Sequence, residues 1–228
     1  MTIPPEWLYP ASIQAASQVQ QLLAARILIE DHLQTPHTIA GMDVSNNLKT
    51  PDLIYAAAVN LDWPSLTMQE RAFINQEQKF PYIPGFLGFR EAPALVEAFR
   101  QLQSPPQLIF VDGHGISHPR RLGVASHIGV LLDVPTIGVA KSILVGHPAS
   151  PLGSLPGDQV PLMWKDKQIA TVLRTKLRCN PLIISVGHKI TLETAVQYVL
   201  QGLKGYRLPE PTRQAHLAAN VARLQKIN

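Results

Sequence analysis

Apolar residues recur along the chain with two different spacings, and these spacings predict much of its secondary structure. Residues 12–26 carry apolar side chains every three or four positions, which predicts a helix. Three strands are predicted next, over residues 39–44, 53–61 and 66–74, and the last of them alternates apolar with polar residues. Residues 62–65 form the turn before this last strand. The order predicts an antiparallel meander of three strands.

Helices and strands alternate in the remainder of the chain. The predicted helices cover residues 91–102, 192–203 and 212–227, with Thr191 as the N-cap of the second. The predicted strands cover residues 107–111, 135–139, 169–174 and 182–186. Residues 148–157 are rich in Pro, Gly and Ser and predict a surface loop. A meander followed by alternating helices and strands predicts an α/β fold, a mixed sheet flanked by helices, in one domain over residues 1–228.

The composition is that of a globular protein. Of the 228 residues, 46% are hydrophobic and 16% are charged, so the chain can bury a sizeable core. No apolar run is long enough to cross a bilayer, and residues 1–7 lack the features of a signal peptide. Cys179 is the single cysteine, which excludes an intrachain disulfide. These features predict a cytoplasmic location and no membrane partner.

Basic residues are in mild excess, and some of them are clustered. The chain has 20 Lys and Arg residues against 16 Asp and Glu residues, a net charge of +4. Residues 174–189 contain Lys, Arg and His but no acid, and Arg120 and Arg121 are adjacent. Clusters of this kind suit a polyanion such as nucleic acid, although an ordinary solvated surface explains them equally well.

Three carboxylates stand at notable places in the predicted elements. Asp43 lies inside or at the end of the first strand, and Asp112 directly follows the strand over residues 107–111. Glu91 begins a helix whose apolar positions follow it at intervals that turn its side chain towards the sheet. Three converging acids would suit a hard divalent cation such as Mg²⁺, which prefers oxygen ligands. Taken singly, each acid is better explained as a cap or an ion-pair partner.

Residues 111–121 combine glycines, histidines and arginines in one short segment. Glycines let a backbone approach a ligand closely, and His118, Arg120 and Arg121 are suited to bind phosphate. The segment also permits two other interpretations. A hydrolase triad of Ser117, His118 and Asp112 lacks the sequence of a nucleophile elbow. A zinc site through His114 and His118, four residues apart, requires a helix, which Gly115 and Pro119 disfavour.

A tyrosine framed by prolines is the third unusual segment. Pro81 and Pro84 restrict the backbone around Tyr82 and Ile83, which makes the segment a rigid apolar projection. Such side chains can wedge into a duplex and fill the gap left by an extruded base. Composition alone favours the alternative, a tight turn that docks Tyr82 into the core.

Together these segments resemble the endonuclease V family, which cleaves strands that contain deoxyinosine. The resemblance runs from about residue 40 to residue 216, and several matching segments are long and compositionally unusual. The matching segments are residues 81–86, 89–91, 111–115, 118–127, 135–141, 178–181 and 204–213.

The resemblance implies an RNase H-like fold and a metal-dependent active site. It implies Mg²⁺, for which Mn²⁺ can substitute, held by Asp43, Glu91 and Asp112. It further implies that Lys141 neutralises the scissile phosphate or positions the attacking water. His216 resembles the fourth residue of the family's metal site. The implied reaction is hydrolysis of the second phosphodiester bond on the 3′ side of hypoxanthine, in the repair of deaminated nucleic acid.

The resemblance also implies how the substrate is held. Tyr82 would be the wedge, and Gly85 and Gly113 would leave room for the extruded base. The other residues expected to bind nucleic acid are Ile83, Pro84, Arg90, His118, Arg120 and Arg121. The expected partner is DNA containing deoxyinosine, with RNA containing inosine as a second candidate, and the protein is expected to be a monomer.

Two other functions remain open at this point. The chain could be a catalytically silent nucleic-acid-binding protein on the same fold, although a protein that only binds phosphate gains nothing from buried acids. It could also be a nuclease whose main target is RNA, and no pattern in the sequence decides between DNA and RNA.

Overall fold

Nine strands are found in the computed structural model, which describes residues 3–47 and 50–225. They are β1 (Thr38–Asn47), β2 (Thr50–Asp62), β3 (Met68–Glu77), β4 (Leu108–Val111), β5 (Thr136–Ala140), β6 (His147–Pro148), β7 (Gln159–Trp164), β8 (Lys167–Leu173) and β9 (Leu182–His188). All nine join one mixed sheet in the order β3-β2-β1-β4-β5-β9-β8-β7-β6. The predicted mixed sheet with its antiparallel meander is confirmed.

In the part of the chain that the structure describes, five α-helices flank this sheet, and a 3-10 turn over Pro5–Trp7 precedes them. The helices are α1 (Ile13–Ala24), α2 (Leu87–Arg100), α3 (Val124–Leu132), α4 (Leu192–Gln201) and α5 (Glu210–Gln225). Within the two described ranges, no helix combines the length and the apolar character needed to cross a membrane.

The parallel pairing of β1 with β4 ends at Met42 and Val111. β1 is antiparallel to β2 but parallel to β4, and Met42 of β1 is the register partner of Val111 of β4. β4 is also parallel to β5, whereas β5 is antiparallel to β9. Because Met42 and Val111 are in register, the residues that directly follow them are neighbours.

Helices cover both faces of the sheet, which explains the uniformly apolar sequence of β4. Ile109 and Val111 point into the core beneath α1, α2 and α3. Leu108 and Phe110 point into the core beneath α4 and α5. All four side chains are fully buried. A strand that is buried on both faces has a continuous apolar run in place of an alternating one.

The predicted helix ends shift in the structure, and the shift of α2 matters for the site. This helix begins at Leu87, so Glu91 lies in its second turn and the prediction that Glu91 begins the helix is wrong. Phe86 is the N-cap and makes no side-chain capping bond, so the sequence carries no signal there. α5 begins at Glu210, two residues before its predicted start, and its predicted end at residue 227 lies outside the described residues.

Neither α3 nor β7 was predicted from the hydrophobic pattern. All but the last residue of α3 are buried, so this helix has no polar face to reveal its period. β7 pairs with β8 as a hairpin, but Pro161 within it weakens the sequence signal of a strand. The predicted loop over residues 148–157 is confirmed except at Pro148, which belongs to β6.

Candidate active site

Asp43 and Asp112 stand side by side where the parallel pairing of β1 with β4 ends. Asp43 directly follows Met42 and is only 7% exposed. Asp112 directly follows β4, and its backbone N–H donates to the carbonyl oxygen of Met42 at 3.0 Å. The parallel ladder of the sheet therefore fixes the backbone from which both carboxylates project.

His216 reaches the same place from α5. Its Nδ1 lies 2.8 Å from Oδ2 of Asp43, and this hydrogen bond raises the pKa of the His216 imidazole. Asn220, one helical turn later, places Nδ2 3.1 Å from Nε2 of His216. The hydroxyl of Ser45 in turn donates to Oδ1 of Asn220 at 2.9 Å. The ring is therefore held at both of its nitrogens.

Gly41 allows α5 to approach β1 closely. A Cβ atom at Gly41 would lie 1.8 Å from the carbonyl oxygen of Pro211, far inside van der Waals contact. The first turn of α5 therefore packs on bare backbone, and no other residue fits this position without moving the helix. This close approach is what brings His216 to Asp43.

Lys141 follows β5 and lies beside the carboxylates, with its Nζ hydrogen-bonded to Oδ2 of Asp112. Its backbone is tied down by Arg207, whose guanidinium donates to the carbonyl oxygen of Lys141 at 3.1 Å. The same guanidinium donates to the carbonyl oxygens of Asn180 at 2.8 Å and Pro181 at 3.1 Å. Arg207 therefore holds together two chain segments next to the site, and its position in the sequence gave no sign of this role.

Glu91 lies close enough to the two aspartates for the three charges to interact. Burial, followed by the negative charges of Asp43 and Asp112, raises the pKa of Glu91 to about 8. Burial and the charge of Asp43 likewise raise the pKa of Asp112 to about 6, against the opposing charge of Lys141. The side chain of Glu91 is partly accessible to solvent, yet protein atoms surround it closely enough to dominate its ionisation.

The donor set fits a divalent cation. Asp43, Asp112 and His216 each offer one ligand atom, and these atoms lie within 4.8 Å of one another. Two carboxylates and an imidazole suit Mg²⁺ or Mn²⁺, and a cation would relieve the mutual repulsion of the acids. Of the three predicted metal ligands, the structure thus brings Asp43 and Asp112 together, while Glu91 stands beside this group without belonging to it.

The loop between β4 and α3 does not support the alternative interpretations of residues 111–121. Ser117 is fully buried and its hydroxyl bonds to Ser185 at 3.0 Å and to Nδ1 of His114 at 2.9 Å, so it is withdrawn from any substrate. His114 and His118 do not share a helix, which removes the geometry of the proposed zinc pair. Both the hydrolase triad and the zinc site are therefore disfavoured by the fold.

Tyr82 stands at the tip of an exposed loop. Its side chain is 69% exposed, so the interpretation in which Tyr82 docks into the core is wrong. The neighbouring Ile83 is half-buried and packs against the core beneath α2, while Pro84 is exposed. The guanidinium carbon of Arg90 lies 6.0 Å from the centroid of the Tyr82 ring. The loop therefore presents one large aromatic side chain to solvent, while the residues beside it are anchored to the protein.

Three residues anchor the loop that carries Tyr82. They are Gln20, Gly85 and Arg120, and we call them the loop brace. The carbonyl oxygen of Gly85 accepts hydrogen bonds from Nε2 of Gln20 at 2.9 Å and from a terminal nitrogen of Arg120 at 2.6 Å. The Nε of Arg120 also donates to Oε1 of Gln20. Gly85 has φ +82°, a conformation that residues with a side chain rarely adopt, which favours glycine at this position. Gln20 carried no sequence signal for this contact.

The remaining residues predicted to bind nucleic acid have different surroundings. His118 is buried, and burial followed by the charge of Arg120 lowers the pKa of its ring to about 4. Arg120 commits two nitrogens to the loop brace and packs 4.2 Å from the Phe86 ring centroid. The backbone N–H of Gly113 donates to the carbonyl oxygen of Val139 at 3.2 Å. The side chain of Arg121 makes no hydrogen bond or ion pair to the residues that the structure describes.

Comparison with known proteins identifies the family. The sequence profile of endonuclease V matches residues 21–217. The chain belongs to the endonuclease V family. The endonuclease V of Protochlamydia amoebophila (strain UWE25) is 60% identical over 222 residues, which are 97% of this chain and 94% of that protein. Members of this family are nucleases, so the predicted class of enzyme is confirmed.

Solved structures of family members share the fold. The endonuclease V of Streptomyces avermitilis superimposes with a TM-score of 0.90 at 37% identity, over 99% of this chain and 98% of its own. The endonuclease V of Ciona intestinalis has a TM-score of 0.84 at 28% identity, over 95% of this chain and 99% of its own. That protein was crystallised with a 24mer DNA containing an inosine followed by a ribo-adenosine. The RNase H-like fold implied by the sequence resemblance is confirmed.

Proposed function

We propose that this protein hydrolyses the second phosphodiester bond on the 3′ side of hypoxanthine in DNA. The observation that carries the proposal is the group formed by Asp43, Asp112 and His216, with ligand atoms within 4.8 Å of one another, in a chain of the endonuclease V family. The Ciona intestinalis family member bound to inosine-containing DNA supports the choice of substrate.

In this proposal Asp43, Asp112 and His216 hold Mg²⁺, and Mn²⁺ can replace it. The bound cation supplies a Lewis acid that stabilises negative charge on the phosphate and lowers the pKa of water. Glu91 lies beside the group with a raised pKa, and its carboxylate, once ionised, adds a third negative charge that favours a cation over a neutral ligand. Asn220 fixes the His216 ring through Nε2, so Nδ1 is the nitrogen that would exchange its hydrogen bond to Asp43 for the cation.

Lys141 is proposed to meet the scissile phosphate. Its ammonium group already lies on Asp112, and Arg207 fixes the backbone behind it. A cation held there can donate to a phosphate oxygen and neutralise the charge that develops during hydrolysis. Its contact with Asp112 also keeps that carboxylate ionised, since the positive charge of Lys141 opposes the burial that raises the pKa of Asp112.

Tyr82 is proposed to fill the gap in the base stack that hypoxanthine leaves when it is extruded. An aromatic ring that is 69% exposed on a braced loop loses little freedom when it enters a duplex. Hypoxanthine has an acceptor at O6 where adenine has an amino donor, and it lacks the 2-amino group of guanine. A backbone N–H aimed at O6 would reject adenine, and a close wall at C2 would exclude guanine.

The proposed setting is a cytoplasmic monomer that acts as a single domain in the repair of deaminated nucleic acid. RNA containing inosine is a second candidate substrate, because shape and 2′-hydroxyl contacts decide between the two nucleic acids. A silent binding protein is the weaker alternative, since clustered acids repel phosphate unless a cation stands between them.

The test is a cleavage assay on an end-labelled duplex with a single deoxyinosine, with mapping of the product ends. We expect Mg²⁺-dependent nicking at the second 3′ bond and no nicking of the matched adenine duplex. Asp112→Asn should reduce the rate by at least about a hundredfold, because several kcal/mol of metal-derived stabilisation are lost. Glu97→Gln is the matched control, because Glu97 lies on the exposed side of α2 and pairs with Arg100.

Two results would overturn the proposal. One is equal cleavage of the adenine and deoxyinosine duplexes. The other is nicking by Asp112→Asn at the wild-type rate in Mg²⁺. An RNA duplex of the same sequence with inosine, assayed in parallel, would show which nucleic acid is cleaved faster.

A further inference from the structure

A basic groove lies beside the loop that follows Asp112. It has a volume of about 730 Å³ and is open to solvent. One wall comes from residues 119–121 and the other from the turn that joins β7 to β8. We name it the hairpin groove, and the residues that line it are Pro119, Arg120, Arg121, Trp164, Lys165 and Lys167.

The charges in the hairpin groove are not neutralised by the protein. Arg121, Lys165 and Lys167 make no side-chain hydrogen bond or ion pair to any residue that the structure describes. The Nζ of Lys165 lies 4.5 Å from the Trp164 ring centroid, which is a cation–π contact and leaves the charge in place. Asp166, at the tip of the turn, is the acid between the two lysines. Cations that are held near one another without partners favour an anionic ligand.

Both walls have defined backbone shapes. Trp164 and Lys167 are paired across the hairpin, and the two residues between them have φ values of 49° and 58°, as in a tight two-residue turn. Arg121 also has a positive φ of 58°, and its N–H donates to the carbonyl oxygen of His118 at 2.8 Å. Non-glycine residues adopt such conformations at a cost, and they are found at sites where side chains must be aimed.

The hairpin groove and the candidate active site are connected by one loop. The loop between β4 and α3 begins at Asp112 and passes through Arg121 before α3 starts. Arg120, which lines the groove, also holds the loop that carries Tyr82. This loop therefore provides a path along which a polymer bound at Asp112 can extend to the groove. A chain of phosphates fits an open groove with separated cations better than a compact anion does.

We propose that the hairpin groove binds the sugar-phosphate backbone of the nucleic acid outside the cleaved segment. Arg121, Lys165 and Lys167 contact phosphates, and Trp164 provides an apolar surface for the sugar or base next to them. This inference rests on the proposed function, since it assigns a further part of the same substrate. It accounts for the placement of two lysines and a tryptophan on a hairpin turn that the chemistry of the active site does not use.

The experiment compares Lys165→Gln/Lys167→Gln with Arg71→Gln/Arg100→Gln, which removes two charges near the opposite edge of the sheet. Binding of a labelled deoxyinosine duplex is measured by fluorescence anisotropy in Ca²⁺ at several salt concentrations. Each lost phosphate contact lowers the slope of log K against log salt by about 0.9. We expect the groove variant to lose about one to two units of slope and to bind the long duplex roughly tenfold more weakly. The control variant should match the wild type.

Duplex length provides the second comparison. Shortening the duplex around deoxyinosine should weaken wild-type binding until it equals that of the groove variant, because the short duplex no longer reaches the groove. Equal slopes and affinities for wild type and groove variant at every length would overturn the inference, as would an equal loss in the control variant. Failure of the proposed function is distinguishable: the wild type would then not nick the deoxyinosine strand, whatever the groove does to the salt dependence.

Discussion

Arg120 donates a hydrogen bond to the carbonyl oxygen of Gly85, and the two atoms lie 2.6 Å apart. This contact joins the loop that begins at Asp112 to the loop that ends in Tyr82. Arg120 was expected from the sequence to meet phosphate, yet two of its nitrogens are engaged with protein. The relationship indicates that Arg120 positions the exposed tyrosine, and its charge is of secondary importance there.

Arg120→Lys should separate the two roles, because lysine keeps the charge but loses the planar pair of donors. We expect cleavage of a deoxyinosine duplex to fall roughly tenfold, the size of losing one buried hydrogen bond to a charged group. The loss should be smaller on a single strand, where there is no stack for Tyr82 to fill. Cleavage rates on both substrates and the salt dependence of binding are the measurements.

Gln20→Ala serves as the control for Arg120→Lys, because it removes the other donor to Gly85 without changing the charge. It should reproduce the preference for the single strand. If Arg120→Lys behaves like wild type on the duplex, Arg120 acts through its charge and not through the loop.

Metal affinity should rise with pH between about 6 and 8. In the metal-free site the pKa of Asp112 is raised to about 6 and that of Glu91 to about 8, so protons compete with the cation below these values. Each proton released on binding contributes up to about a tenfold gain in affinity per pH unit. Calorimetric titration with Mg²⁺ or Mn²⁺ in two buffers of different ionisation enthalpy measures both affinity and proton release.

Glu91→Gln should flatten this pH dependence at its upper end, since glutamine carries no proton to lose. Glu97→Gln, on the same helix but 46% exposed at its side chain and paired with Arg100, should leave the wild-type profile. An affinity that is constant from pH 6 to 8 in the wild type would contradict the raised pKa values.

Gly41→Ala should both destabilise the protein and weaken the metal site. The added Cβ would meet the Pro211 carbonyl oxygen at 1.8 Å, and backbone atoms cannot rotate away as a flexible side chain can. α5 must then move, taking His216 away from Asp43. We expect a loss of roughly 1–3 kcal/mol in the free energy of unfolding, as for overpacking in a core. Urea unfolding and metal titration of the folded variant are the measurements, and wild-type values for both would refute the close packing.

His127 should make the protein less stable in acid. The ring is fully buried, its Nε2 lies 2.9 Å from the Trp7 carbonyl oxygen, and burial lowers its pKa to about 4. In the unfolded chain a histidine has a pKa near 6.5, so the unfolded state binds more protons between these values. The stability contributed by neutral His127 is complete above pH 6.5 and is lost as the pH falls towards 4, by about 3 kcal/mol.

The check is the pH dependence of urea unfolding for wild type and His127→Gln. The variant should lose less stability than the wild type between pH 6.5 and 4. His147→Gln is the control, because His147 is exposed on β6 and its removal should leave the wild-type slope. Parallel curves for wild type and His127→Gln would show that the buried ring does not control the acid response.

Local sequence patterns predicted the strands that carry the site. They did not predict the long-range contacts that complete it. The position of Asp43 in β1 and of Asp112 after β4 follows from short apolar runs, and parallel pairing then makes the two neighbours. The helix α3 could not be predicted, because a helix buried on every side shows no amphipathic period. Arg207 and Gln20 act through carbonyl oxygens 65 or 66 positions away in the chain, and no local spacing encodes such a contact.

Hydrolysis and substrate selection depend on different parts of the fold and can vary independently. The register of Met42 opposite Val111 fixes the residues for hydrolysis alone. Asp43 and Asp112 take their positions from strands in the interior of the sheet, whereas Tyr82, Arg121 and Lys165 stand on turns at its margin. Grafting different turns would therefore redirect the protein to other strands or other bases while the hydrolytic machinery keeps its geometry. The fold therefore combines a fixed group of catalytic residues with substrate-binding turns that can be exchanged, which makes it a scaffold for nucleases with new targets.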